Sequence, residues 1–449
     1  MFIKKVFNKQ ISTQLLGLNM AVFLSFSQPV FSAQIAGNRL TLAYVEQVSL
    51  QNEPGLISQQ WQSQALSEQA IADGQLMDPK MQVSLANLPT DTFNFDQENM
   101  TQFKVGITQQ FPAGKTLDLK QQKKQKKSQL LLIKMSERKL TILKEVRLTY
   151  LEIFYWEQAK KTISQNKKLF SQLVEIVQSL FSVGRNNQQD LIRAQLELSR
   201  LDDRLVKITQ KINTQRSKLS RWIGETNSYT PLIAELPAIE MPKQLQAQSL
   251  NIQADESFVQ LSQLLSEHPK IQQIDKQIEV SRKDIELASE AYKPGWGLNV
   301  SYGYRDNNPN GQSRSDFISA GVTFDLPLFT ANRQDKKRLA KEHAYQSLKD
   351  KRIELLHQLV SQLQQEISNE VQLTKRHQLY NRLLLPQAEQ QTTASLLAYQ
   401  SDRGDFSDVM RAHIDNLNVK LDERRIAVDH LQSRSKMLYF MPRQSTLQN

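Results

Sequence analysis

The chain has 449 residues, no cysteine and a formal net charge of +11. The lack of cysteine excludes disulfides and an acylated N-terminal cysteine, so we expect no lipid anchor. Aromatic residues make up 7% of the sequence, and glycine and proline number only 14 each. This composition is typical of long helices rather than of a compact enzyme.

Residues 1–33 have the features of an export signal. Three lysines precede a short apolar stretch from Leu15 to Phe26, and small residues follow at Ser32 and Ala33. The stretch is far below the roughly 20 apolar residues that span a membrane, which favours a cleaved signal peptide over an anchor. The remaining basic residues are spread along predicted helices, which favours a solvated surface over a nucleic-acid partner.

An internal repeat with an offset of 215 positions organises the rest of the chain. Pro54 and Pro269 each begin a helical pattern, because the first helical turn does not need the N–H that proline lacks. Each pattern runs to a second proline, Pro79 in the first copy and Pro294 in the second.

Two strands separated by a polar loop follow each helical pattern. Apolar and polar residues alternate over about eight positions, which predicts a strand. The apolar positions are Met81, Val83 and Leu85, then Phe103, Val105 and Ile107 in the first copy, and Leu298, Val300, Tyr302 and Tyr304, then Ile318, Ala320, Val322 and Phe324 in the second. The polar loops are residues 87–100 and 305–316.

A very long helical pattern follows each pair of strands. Residues 117–181 contain no proline or glycine, which allows about 95 Å of unbroken helix. The return helix places apolar residues alternately three and four positions apart, a heptad seam that predicts coiled-coil packing and ends at Gly224. These residues are Leu191, Ala194, Leu198, Leu201, Leu205, Ile208 and Ile212. The matching turn of the second copy lies at an offset of 218, so three residues are inserted between its strand and its turn.

The domain organisation follows from this repeat. Residues 34–224 form the first copy, 225–250 a proline-containing linker, and 251–449 the second copy. One chain supplies four strands, fewer than the eight of the smallest single-chain membrane barrels, so its sheet edges would stay open in lipid. Two chains would supply eight strands, a barrel filled by its own side chains, whereas three would supply twelve and leave a pore. We therefore expect a trimer.

The ordered set of motifs resembles the outer membrane factors, the TolC family. The resemblance rests on Val183-Gly184, on Asp190-Leu191-Ile192-Arg193-Ala194-Gln195 and its match Asp408-Val409-Met410-Arg411-Ala412, and on the strand ends Gln110-Phe111-Pro112 and Asp325-Leu326-Pro327. The segments Asn87-Leu88-Pro89, Met100-Thr101-Gln102 and Gln110-Phe111-Pro112 look most like the members that work with heavy-metal pumps.

The resemblance implies a mainly α-helical fold with a β-barrel portion. A trimer would form a 12-stranded barrel in the outer membrane of a Gram-negative bacterium and a coaxial helical coiled-coil barrel in the periplasm. It implies passive export of metal cations or drugs, with a periplasmic adaptor protein, an inner-membrane pump of the RND type and outer-membrane lipid as partners. Two alternatives remain open: a type I secretion channel for polypeptides, and an exported coiled-coil or adaptor protein without a pore.

The resemblance also assigns roles to the ends of the helical hairpins. Asp408 and Asp190 are expected to narrow the periplasmic mouth, with Asp402 and Asp405 in the second turn adding to the ring. Asp408 and Asp190 alternatively serve as helix N-terminal acids that the helix dipole stabilises. Arg411 stands where family members often have a second aspartate, so the ring is single or Arg411 pairs across protomers. The residues expected to contact the adaptor are Val183, Gly184, Arg185, Arg403, Gly404 and Phe406, with Val183 and Phe406 exposed.

Two further residue sets bear on binding. Basic runs at Lys120, Lys123, Lys124, Lys126 and Lys127 and at Arg333, Lys336, Lys337 and Arg338 are either solvated helix starts or sites for anionic headgroups. The six histidines include no pair at the i, i+4 spacing of a helical metal site. With no nucleophile or phosphate-binding motif either, we expect no metal centre, no cofactor and no enzyme.

Overall fold

The computed structural model describes residues 39–51, 53–184, 187–246 and 254–441; the predicted signal, residues 1–33, lies outside them. The helices are α1 (Leu42–Gln51), α2 (Pro54–Asp73), α3 (Thr116–Ser182), α4 (Gln188–Ile223), α5 (Glu225–Ser228), α6 (Lys243–Gln246), α7 (Ala254–Leu265), α8 (Pro269–Glu290), α9 (Gln334–Leu379), α10 (Leu385–Gln400) and α11 (Phe406–Phe440). The strands are β1 (Lys80–Ala86), β2 (Gln102–Phe111), β3 (Trp296–Tyr304) and β4 (Phe317–Phe324). The predicted order of helix, two strands and long helical hairpin is therefore confirmed in both copies.

The four strands form one antiparallel sheet in the order β1-β2-β3-β4. Its two central strands come from different repeats, and Ile107 of β2 pairs with Val300 of β3. Next to the sheet, α3 packs between α2 and α8, and α8 packs on α9. The helices therefore lie side by side in the order α2-α3-α8-α9, which matches the order of the strands to which they connect. Farther along, α3 packs between α4 and α11, and α11 packs on α10. In the described part of the chain, α4 and α10 are thus the edges of this layer.

The predicted heptad seam on α4 packs as expected. Ala194, Leu201 and Ile208 are buried in one apolar cluster with Ile163 and Phe170 of α3. Leu191, Leu198 and Leu205 pack against the same cluster and are partly buried. Gly224 then ends the helix with φ of 80°, a conformation that glycine adopts without steric strain.

A second cluster joins the middle of the hairpins to the segment between the repeats. Leu232 lies in this cluster with Tyr150 and Leu219. Arg216 is buried and donates to the Thr230 carbonyl at 3.1 Å while it pairs with Glu157. This part of the predicted linker is therefore packed against the long helices.

The three residues inserted in the second copy lie in the connector between β4 and α9. Thr116 and Gln334, which begin the two long helices, are already 218 positions apart, whereas Pro112 and Pro327 just before them are 215 apart. Both helical paths then run for 67 residues, 116–182 and 334–400. The second path contains a π-helical turn, Tyr380–Leu384, that ends two residues before Pro386. The missing proline N–H disturbs the regular hydrogen-bond ladder at this point.

Candidate functional site

One face of the sheet is apolar and exposed from edge to edge. Its central row of cross-strand partners is Met81, Ile107, Val300 and Ala320. The neighbouring rows on the same face are Val83, Val105, Tyr302 and Ile318 on one side and Gln109, Leu298 and Val322 on the other. Met81 is 72% exposed and Ile318 is 80% exposed. In water-exposed sheets the apolar face is normally covered by other parts of the protein. No described part of the chain covers this apolar face.

The opposite face of the sheet carries polar or small residues, except for Phe317 at the loop end of β4. The row beside the central one consists of Gln82, Gly106, Ser301 and Ser319. Gly106 leaves room for the side chain of Ser301 on the neighbouring strand, because a Cβ at position 106 would lie 3.1 Å from the Cβ of Ser301. Asn299 donates to the Thr108 hydroxyl at 2.7 Å on this face. The sheet therefore has one apolar face and one predominantly polar face.

The two polar loops at the far end of the sheet bind each other. Arg305 donates to the carbonyl of Asn99 at 3.0 Å. Arg314 donates to the carbonyl of Asp96, also at 3.0 Å. Because each arginine reaches from the second loop into the first, the loops form one cap over the ends of all four strands.

The basic run at the start of α3 is paired with acids of the neighbouring helices. Lys123 lies 2.5 Å from Asp284 of α8 and Lys126 lies 2.6 Å from Glu279. Lys124 lies 3.6 Å from Asp73 of α2. These three lysines are thus partnered within the chain, which removes the reason to assign them a lipid headgroup.

The first hairpin turns at the end of α3. Val183 is 68% exposed, as expected for a tip residue, and Gly184 has φ of 74°. Arg185, which was assigned to the same tip, lies outside the described residues. Asp190 is half-buried in the first turn of α4, and its N–H donates to the Asn187 carbonyl at 3.2 Å.

The second hairpin repeats this turn with an aspartate in place of the glycine. Asp402, 218 positions after Gly184, has φ of 53°. Its N–H donates to the Tyr399 carbonyl, and the N–H of Arg403 donates to the Ala398 carbonyl at 2.9 Å, the two bonds of a Schellman helix end. Gly404 allows the turn to pack closely against the end of α10, because a Cβ at position 404 would lie 3.1 Å from the Cβ of Ala398.

Asp408 is exposed in the first turn of α11. Its side chain is 56% exposed and its carboxylate lies 3.6 Å from the Arg411 guanidinium, one turn along the same helix. Asp405, the residue before the helix, makes no side-chain cap bond. Asp402, Asp405 and Asp408 therefore place three exposed carboxylates within one turn and the helix start that follows it.

The expectation that Phe406 is exposed at the tip is wrong. Its side chain is only 2% exposed, and its ring lies 5.7 Å from the ring of Tyr399 in an edge-on arrangement. Phe406 packs in the same apolar cluster as Val177 of α3 and Met410 of α11. It fixes the second turn against the first hairpin instead of presenting an apolar surface to a partner.

The described residues contain no group of three or more histidine, aspartate or glutamate side chains arranged to hold a metal ion. Within the same part of the chain, no helix combines the length and apolar character required to cross a membrane. His268 is buried at the start of α8, where its Nδ1 accepts the N–H of Lys270 and its Nε2 lies 3.1 Å from the Tyr439 carbonyl. It therefore serves as a helix cap.

Solved structures of outer-membrane channels share this fold. VceC from Vibrio cholerae aligns with a TM-score of 0.69 at 17% identity, over 90% of this chain and 95% of that one. The open-state MtrE channel of Neisseria gonorrhoeae gives 0.66 at 13%, over 89% and 88%. The CmeC channel of Campylobacter jejuni gives 0.72 at 12%, over 89% and 85%. No protein-family model and no curated protein matches the sequence. The resemblance predicted from the sequence is thus confirmed for the fold.

Proposed function

We propose that this chain, which has the fold of the TolC-family outer membrane factors, is the outer-membrane channel subunit of a tripartite efflux system. It would give the substrates of an inner-membrane pump a passive path across the periplasm and the outer membrane, and it would not act as an enzyme. The observation that carries this proposal is the exposed apolar face of the sheet. Lipid is the environment in which such a face is stable, because membrane strands direct alternate apolar side chains outward.

The open edges of the sheet and of the helical layer support a homotrimer. β1 and β4 have free edges in the described chain, and such edges cannot remain unpaired in lipid. Three copies would supply twelve strands, enough to enclose a pore. The edge helices carry exposed apolar side chains as well, Ile192, Leu196 and Val206 on α4 and Leu379, Leu383 and Leu397 on α9, the π-helical turn and α10. Contact between α4 of one copy and α10 of the next would bury both sets.

The hairpin ends are proposed as the periplasmic mouth. Threefold symmetry would place three copies of Asp408 around one axis, together with Asp402, Asp405 and, on the first hairpin, Asp190. Such a ring attracts cations. Arg411 already lies beside Asp408 within the helix, which would reduce the negative charge of the ring.

The tips are proposed as the contact for a periplasmic adaptor protein, which would link the channel to an RND pump. The exposed Val183 and Arg403, with Gly184, Arg185 and Gly404 beside them, would form this rim. Phe406 would support it from beneath. Metal cations or drugs are the proposed cargo, since the resemblance to heavy-metal members concerns only short segments near the strands.

Reconstitution of the purified protein tests this proposal. We expect discrete conductance steps in planar bilayers and chemical cross-linking in outer membranes that ends at a trimer. Cross-linking that saturates at a dimer would exclude the twelve-stranded arrangement. Recovery of the protein in the soluble periplasm would favour an exported coiled-coil protein instead.

A further inference from the structure

The apolar stripe of β4 continues beyond the end of the strand. Leu326 and Leu328 continue the i, i+2 spacing of Val322 and Phe324 across a turn at Pro327, where the Leu328 N–H donates to the Leu326 carbonyl at 2.9 Å. The two leucines are 67% and 72% exposed. Phe329 follows at 86% exposed. The three-residue insertion of the second repeat lies between Pro327 and Gln334, at the same corner of the sheet as these exposed side chains.

The corresponding connector of the first repeat is folded inward. The ring of Phe111 stacks on that of Trp296, with centroids 4.0 Å apart. Pro112 and Ala113 are half-buried, and the N–H of Lys115 donates to the Glu290 carboxylate at 2.7 Å. The exposed apolar corner therefore belongs to the second repeat alone.

Unpaired positive charge follows this corner directly. Arg333, Lys336, Lys337 and Lys341 are exposed and have no ion pair with any residue that the structure describes. Arg338 is bonded to Glu342 at 2.8 Å. The lysines at the start of α3 differ in this respect, since three of them are paired with acids of α2 and α8. The two basic runs resemble each other in sequence but differ in net local charge.

We propose that residues 326–341 bind anionic phospholipid in the inner leaflet of the outer membrane. Leu326, Leu328 and Phe329 enter the acyl region, and Arg333 and the lysines after it hold the headgroup phosphates. The proposal rests on the proposed function, because it requires the apolar sheet face to lie in that membrane.

The dimensions of β4 agree with this placement. The alternating apolar positions from Ile318 to Leu328 are ten residue steps apart, at most about 33 Å if the chain is fully extended. With a strand tilt of about 40°, this corresponds to about 25 Å, the height of the apolar band of membrane barrels. Phe329 then lies at the lower edge of the band, and Arg333 begins the headgroup level. Anionic headgroups attract clustered lysine and arginine at this level.

Lipid-specific quenching tests the proposal on the full-length protein. Because the chain has no native cysteine, Phe329→Cys and, in a second protein, Ile318→Cys each provide a single site for a fluorescent label. The labelled proteins are reconstituted in vesicles that hold equal amounts of phosphatidylcholine and phosphatidylglycerol, with either one or the other brominated. We expect both lipids to quench the label at 318 equally, and brominated phosphatidylglycerol to quench the label at 329 more strongly.

A matched pair of charge variants identifies the source of that preference. Lys336→Gln with Lys337→Gln is expected to abolish the preference at 329. Lys349→Gln with Lys351→Gln removes the same charge from exposed positions farther along α9, and is expected to leave the preference unchanged.

The possible results separate the two levels of the argument. Two results would overturn this inference but not the channel proposal. In the first, both lipids quench the label at 329 equally. In the second, neither lipid quenches the label at 329 although the label at 318 is quenched. Shielding would indicate that a second copy covers Phe329, with the exposed Leu76 and Met77 as the facing surface. Absence of quenching at 318 would show that the apolar face of the sheet does not lie in the membrane, and the channel proposal would fail as well.

Discussion

A charge placed on the apolar face of the sheet should cost far more than the same charge on the adjacent polar face. Ala320 and Ser319 are neighbours in β4 and both are exposed. Ala320 belongs to the central apolar row, where it pairs with Val300, whereas Ser319 pairs with Ser301 on the polar face. Ala320→Arg and Ser319→Arg therefore add one guanidinium at nearly the same depth, on opposite sides of the sheet.

The expected difference follows from the depth of the central row. Arginine on the lipid face near the bilayer midplane costs about 2–4 kcal/mol per chain. Each 1.4 kcal/mol corresponds to a factor of about ten in an equilibrium constant. Ala320→Arg should therefore reduce the equilibrium constant for folding and insertion by roughly 30-fold to 700-fold. Ser319→Arg, which faces water in the proposed pore, should change it by less than about 1 kcal/mol.

The assay is reversible folding from urea into phosphatidylcholine vesicles, followed by tryptophan fluorescence and by the heat-sensitive mobility of the assembled protein. Ala320→Arg should lower the urea midpoint, and Ser319→Arg should keep the wild-type value. An equal decrease of the urea midpoint in both variants would show that the two faces of the sheet have the same surroundings. An unchanged urea midpoint in Ala320→Arg would show that lipid does not contact this face. The inference that the exposed apolar face lies in the membrane would then be refuted.

Three further predictions concern the mouth, the loops and the pH dependence. Asp408→Ala should weaken the block of channel current by divalent cations in planar bilayers. It should not lower the trimer yield, because an exposed pair such as Asp408 with Arg411 contributes at most about 1 kcal/mol to stability. Asp190→Ala is the matched comparison, and a lower trimer yield with unchanged block would show that Asp408 stabilises the fold and does not form the mouth. Cysteines at Asp96 and Asn310, one in each of the joined loops, should react with an impermeant thiol reagent on intact cells, and protection of both until the outer membrane is broken would invert the proposed orientation. Burial lowers the pKa of His268 to about 4, so the unfolded chain takes up a proton between the ordinary pKa of about 6.5 and that value while the folded chain does not. Stability should therefore fall as the pH drops through this window, by at most about 1.4 kcal/mol per pH unit, and thermal unfolding of His268→Asn at pH 7.5 and pH 5 should show a smaller change than the wild type.

The sequence predicts the order of elements well, because each element depends on local periodicity. The alternation of Met81, Val83 and Leu85 and the seam from Leu191 to Ile212 identify a strand and a helix face without reference to the rest of the chain. The fold class and both hairpin turns follow from the same patterns and from the repeat. The oligomer and the roles of the aspartates stay predictions, since they depend on surfaces that one chain presents to other molecules.

Features that depend on tertiary partners were not predictable in the same way. Phe406 begins a helix beside a turn, a position that suggests exposure, but Tyr399 and α3 cover it. The lysines at the start of α3 resemble a binding surface until Asp284 and Glu279 of α8 are brought beside them. The inward stacking of Phe111 on Trp296 likewise joins two repeats that lie far apart in sequence.

The position of the three-residue insertion has a consequence for the level of the two hairpin ends. Inside a long helix, three extra residues would lengthen it by about 4.5 Å and rotate everything beyond them by about 300°. The apolar seam would then face away from its neighbours, and one tip would project past the other. Because the connector before Gln334 takes up the insertion, both helical paths keep 67 residues. The proposed adaptor would therefore meet two hairpins whose first helical paths have equal numbers of residues, although the two repeats have diverged in sequence.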